Sequence, residues 1–125
     1  MKTVLSWKIY SLALLVYCGL IYLLSDQVVL PLPHVFNMQD KLIHAAAYAF
    51  MAWLFWHAAR VHLSGLLLAV TTIIFCSLYG LSDEWHQSYV DGRQADIFDW
   101  IADTAGAFML TIMLYKREFV IRTGG

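Results

Sequence analysis

Asp40, His44 and Tyr48 recur at every fourth position in DKLIHAAAY, Glu84 and Gln87 stand three apart in YGLSDEWHQ, and Arg93, Asp96, Asp99 and Asp103 follow in RQADIFDWIAD. Carboxyl groups, an imidazole and two cations (Lys41 and Arg93) are the residue types that move protons and hold anions. On a helix, residues four apart lie on one face, so Asp40, His44 and Tyr48 share a side. Glu84 and Gln87 do the same, with His86 turned elsewhere. If the next helix begins near Arg93 or Asp96, its three aspartates fall about 300°, 240° and 280° from Arg93, a stripe about 60° wide with Gly106 beside it.

The chemistry open to such a set is acid–base work on an anionic compound. Glu84 is the first candidate for a general base, and His44, Asp99 and Asp103 complete the candidate catalytic group, since carboxyls in unequal environments suit acid and base roles. Lys41 and Arg93 would hold a phosphate or other anionic headgroup, Arg93 by a two-pronged contact. Asp40, Tyr48, Gln87 and Asp96 are further binding candidates. A bland reading stands beside this one: a buried ion-pair network that locks helices together. No H-E-x-x-H or C-x-x-C spacing is present. A metal held by His44, Glu84 and Asp96 or Asp99 is the lesser alternative, and no metal or cofactor is expected.

The elements that must position these groups are greasy. Of 125 residues, 61 % are apolar and only 14 % charged, against about 45–50 % and about 25 % in soluble domains. Four apolar runs, each of about 18–19 residues, cover 7–24, 42–59, 63–81 and 97–115, close to the roughly 20 a spanning helix needs. An all-α membrane bundle of four transmembrane helices, one domain over 1–125, is the expected fold. The first run is too long for a signal peptide's apolar core and lacks an A-x-A-like cleavage site, so it is read as an uncleaved helix. Cys18 and Cys76 fall mid-helix as small apolar packers.

Basic residues set the orientation. Lys2, Lys8, Arg60, Lys116, Arg117 and Arg122, six of the eight, fall on one side of a four-span chain, while Lys41 and Arg93 share the other with eight of the nine acids. Both termini are therefore expected in the cytoplasm, with the first and third loops outside. Val28-Val29-Leu30 and Val35-Phe36 in the first loop read as a segment lying on the membrane surface. Asp40 reads as an N-cap of the second helix. Ala45 and Ala49 read as a small-residue face for close helix approach. Val90–Arg93 reads as a tight turn on Asp-Gly. Trp7, Tyr10, Trp56, Trp85, Tyr89 and Tyr115 form an expected interfacial belt. Lys116-Arg117 is a topology anchor, not a nucleic-acid patch.

An aspartate facing lipid near the bilayer centre costs about 2.5–3.5 kcal/mol even on insertion scales. Asp99 and Asp103 should therefore face inward, toward Lys41, Arg93 and His44. Ionisable groups kept in a membrane default to function, so the functional reading is taken forward.

D-K-x-x-H-x-x-x-Y, then E-x-x-Q, then R-x-x-D-x-x-D-x-x-x-[N/D]-x-x-G resembles the VanZ-like family of small bacterial membrane proteins. Asp40, Lys41, His44 and Tyr48, then Glu84 and Gln87, then Arg93, Asp96, Asp99, Asp103 and Gly106 carry the likeness. Asp103 stands where the family often has asparagine. The resemblance implies a multi-pass protein of the bacterial inner membrane, linked to low-level resistance to teicoplanin, a glycopeptide that acts outside the membrane. It implies no settled reaction. An enzyme acting on a lipid-linked envelope precursor is the leading expectation. A non-catalytic binder or chaperone of lipid or envelope precursors is the alternative, and proton-coupled transport is weaker. Oligomeric state is open.

Overall fold

The structure, a computed structural model, describes residues 2–27, 33 and 35–124, with side chains from Ser6 onward. Four α-helices follow one another: α1 (Lys2–Ser25), α2 (Gln39–Ala59), α3 (Gly65–Gln87) and α4 (Ile97–Thr123). There is no strand among the described residues. Each helix is long and apolar enough to cross a membrane. Their outer surfaces carry leucine, isoleucine, valine and phenylalanine side chains, such as Leu15 at 70 % and Leu66 at 67 % exposed. In water that pattern would be costly, whereas lipid accepts it.

All four helices outrun their apolar stretches, α3 and α4 by the most at their C-terminal ends. α3 continues past Leu81 to Gln87, and α4 past Tyr115 to Thr123. An apolar run measures the lipid-facing part of a helix, while backbone bonding continues through polar residues that the bundle covers. The extension of α3 matters most, because it carries Asp83, Glu84 and Gln87 into buried positions.

The start of α4 also differs from expectation. Residues 93–96 are not helical, and Asp96 is the N-cap, its carboxylate accepting from the Phe98 N–H at 2.9 Å. Only Asp99 and Asp103 therefore form a helical stripe, four residues apart. Gly92 takes φ +83°, as the Asp-Gly turn requires. At α2 the expected cap is replaced. Gln39 opens the helix and fastens the incoming loop, accepting from the Val35 N–H at 2.6 Å and donating to the Pro33 carbonyl at 2.8 Å. Asp40 then lies in the first turn rather than at the cap, where a negative charge still suits the helix dipole.

α2 is the central helix, packed on α1, α3 and α4. Its closest approach is to α4, where a Cβ added to Gly106 would stand 2.0 Å from the Ala45 carbonyl oxygen. The small face read at Ala45 is thus used. α1 is fastened mid-helix by two phenols: Tyr17 donates to the Ala47 carbonyl at 2.7 Å, and Tyr79 donates to that of Cys18. At the far end Trp56 is 1 % exposed and donates from its indole to Glu118 at 3.2 Å. Its place in an interfacial belt is overturned, because its N–H finds a partner inside the bundle. Trp85 and Tyr89, at 67 % and 71 % exposed, fit the belt. Val35 and Phe36 are exposed, while Val28-Val29-Leu30 lie outside the described residues.

Candidate functional site

The start of α2, the end of α3 and the start of α4 meet at one end of the bundle, and seven of the singled-out residues converge there. Lys41 is the hub. Its ammonium donates to Asp96 at 2.7 Å and to Asp99, and stands 3.6 Å from Asp40. One helical turn deeper, His44 places Nδ1 2.8 Å from Asp103 and Nε2 3.6 Å from Asp99 and 4.0 Å from Asp40. The i, i+4 spacing on both helices makes this a ladder: Asp99 and Asp103 of α4 face Lys41 and His44 of α2. Asp99 is 6 % exposed and Asp103 fully buried, so neither meets lipid. The hydrogen bond from Lys41, supported by the Phe98 N–H, holds the Asp96 carboxyl below the usual aspartate range.

Glu84 joins from α3. One oxygen accepts from the Asp96 N–H at 2.8 Å, while Oε1 has no hydrogen-bond partner among the described residues. Asp103 Oδ2 and the Tyr48 hydroxyl are likewise unpartnered. Glu84 is 6 % exposed, so its place near a helix end has not left it solvated.

Two expectations change. Arg93 does not pair with Asp96 or the stripe; Lys41 takes that place, and Arg93 instead donates to the Gln27 carbonyl at 2.6 Å. Arg93 precedes α4, which starts at Ile97, so it is not held on the helix that carries Asp99 and Asp103. Gln87, expected to act with Glu84, donates to Asp83 at 3.3 Å on another side of α3.

Asp83 was not singled out by sequence reasoning, yet it is 7 % exposed. It lies three residues after Gly80 and four before Gln87, on the stripe that buries Thr72, Cys76 and Gly80. That spacing was the available signal. Asp83, Ser25, His44, Tyr48, Gln87 and Arg93 form the polar part of a cavity of about 90 Å³ between α1, α2 and α3, whose remaining wall is Ile21, Leu24, Ile43 and Ala47. The site thus has two chambers that share His44. One is a carboxylate ladder between α2 and α4, and the other is a cleft with an apolar wall.

No curated protein and no solved structure gives a match to the chain. The model of the VanZ/LLP1 family matches residues 5–121. That span takes in α2 and α3 whole, nearly all of α1 and α4, and every residue of the ladder and the cleft. With four helices able to cross a membrane, this chain is a multi-pass membrane protein and belongs to the VanZ/LLP1 family.

Proposed function

We propose that the protein takes an amphiphile with an anionic headgroup, a membrane lipid or lipid-linked envelope precursor, into the cleft between α1, α2 and α3 and acts on that headgroup by hydrolysis or group transfer. The observation that carries this reading is the cleft's divided wall: four aliphatic side chains on α1 and α2, with Arg93, Asp83 and His44 among the polar ones. An apolar chain would lie along Ile21, Leu24, Ile43 and Ala47. The headgroup would meet the guanidinium of Arg93, which makes no carboxylate contact within 4 Å among the described residues. Lys41, engaged by three aspartates, serves as a counter-ion instead. His44 joins the cleft to Asp99 and Asp103, a route for a proton, with Glu84 beside it. The cluster faces outward in the bacterial cytoplasmic membrane and both termini lie inside, on the evidence of the basic residues at the opposite end. Glycopeptide susceptibility is the cellular readout that follows.

The non-catalytic reading draws on Lys41, whose ion pairs are what a scaffold would use. One experiment separates the two. Purified protein in lipid nanodiscs is titrated with a polyprenyl phosphate, and product formation is followed on polyprenyl-linked envelope precursors. Arg93→Ala should weaken binding about tenfold or more, as loss of a charged hydrogen bond predicts. Glu84→Gln should leave binding intact and reduce turnover at least about 100-fold. Binding indifferent to Arg93→Ala overturns the cleft reading, and absence of turnover in the wild type leaves a binder.

A further inference from the structure

We propose that His44, Glu84 and Asp103 bind one divalent transition-metal ion. One ligand atom from each residue lies within 4.8 Å of the other two, and the three come from α2, α3 and α4. A cluster of acids is common without an ion; what sets these apart is the partners they lack. Glu84 Oε1 and Asp103 Oδ2 have no hydrogen-bond partner among the described residues, in side chains 6 % and 0 % exposed. A buried carboxylate oxygen left unpaired is costly. No lysine or arginine nitrogen comes within 4 Å of either carboxylate among the described residues, because Lys41 is spent on Asp96, Asp99 and Asp40. The ladder thus divides into an outer part neutralised by lysine and an inner pair with only an imidazole beside it.

Ligand chemistry selects the ion. Two carboxylates and one neutral imidazole balance a dication. The nitrogen favours zinc, manganese or iron over calcium and magnesium, which prefer all-oxygen shells. His44 Nδ1 and Asp103 Oδ1 share a hydrogen bond of 2.8 Å, a spacing close to the roughly 3 Å between neighbouring ligands on an ion with bonds near 2.0–2.2 Å, so the ion would displace the shared proton. Three protein ligands leave a position open, and His44 also lines the cleft. How the ion is used, in polarising a headgroup already held by Arg93, rests on the function proposed above; its binding does not. Loaded, Glu84 and Asp103 are ligands and the proton work falls to Asp99.

The test needs no lipid substrate. Protein purified with a chelator and dialysed against Zn²⁺ or Mn²⁺ is assayed for bound metal and for its melting temperature with and without the ion. The expected result is one ion per chain and a raised melting temperature. Affinity should fall at least about tenfold in Glu84→Gln and in Asp103→Asn and stay unchanged in Asp91→Asn. Wild-type protein that binds no ion overturns the proposal even if a variant fails to fold. So does binding that survives in the Glu84→Gln/Asp103→Asn double variant, which would mark a surface site. Polyprenyl phosphate binding by the metal-free protein is measured alongside. A protein that binds the lipid but takes up no added ion sinks the ion alone, and one that takes up the ion but binds no lipid sinks the cleft reading alone.

Discussion

Lys41 touches three carboxylates and His44 faces three, so the polarity of the site rests on two side chains one turn apart. Removing the lysine leaves Asp99, with a side chain only 9 % exposed, with the His44 imidazole at 3.6 Å in place of an ammonium. Lys41→Met should cost about 3 kcal/mol, the low end for breaking a buried pair, because the lysine itself is partly exposed. Adding Asp99→Asn should restore part of that loss. Thermal melts in detergent of both variants check this, and a double variant no better than the single would show that Asp99 does not depend on Lys41. The inward turn of Asp99 and Asp103 was legible in the sequence from the cost of facing lipid. The partner of Asp96 was not, because choosing between Lys41 and Arg93 required knowing where α4 begins.

At the level of elements, α2 and α4 meet where neither has a side chain to spare. Gly106→Ala would drive a Cβ into the Ala45 backbone, 2.0 Å from its oxygen and 2.6 Å from its carbonyl carbon. Backbone cannot rotate away, so a loss of about 1–3 kcal/mol or more is expected, as for overpacked cores. Gly19→Ala is the control, with nothing within 4 Å of its added Cβ; it should be neutral or gain up to about 1 kcal/mol from helix propensity. Parallel melts that fail to separate the two would remove the close approach as a source of stability. The existence and order of the four helices were legible from apolar length alone. Their full extents were not, since the third apolar run stops at Leu81, and how deeply Asp83 and Glu84 are buried beyond it depends on the helices packed around them.

For the whole molecule, orientation is the property on which the site's use depends. In cells carrying Cys18→Ala and Cys76→Ala, Asp91→Cys should react with a membrane-impermeant maleimide from outside, and Arg117→Cys only after permeabilisation. The opposite pattern would turn the carboxylate ladder toward the cytoplasm. The charge bias that supports this orientation is legible in the sequence, because it depends on counting along the chain. The cleft is not, because its walls come from three helices and a loop. The ladder also has a bearing on how the chain is made. The carboxylates of α4 find their lysine and histidine on α2, not on the neighbouring α3. As the nascent chain leaves the ribosome, α2 therefore waits with only its own Asp40 beside Lys41 and His44 until α4 is synthesised. α4 is apolar enough to span, but Asp99 and Asp103 escape the cost of facing lipid only against that surface. The final quarter of the chain is what seals the bundle, and a truncation just before it would leave α2 as exposed to quality-control proteases as an orphan subunit.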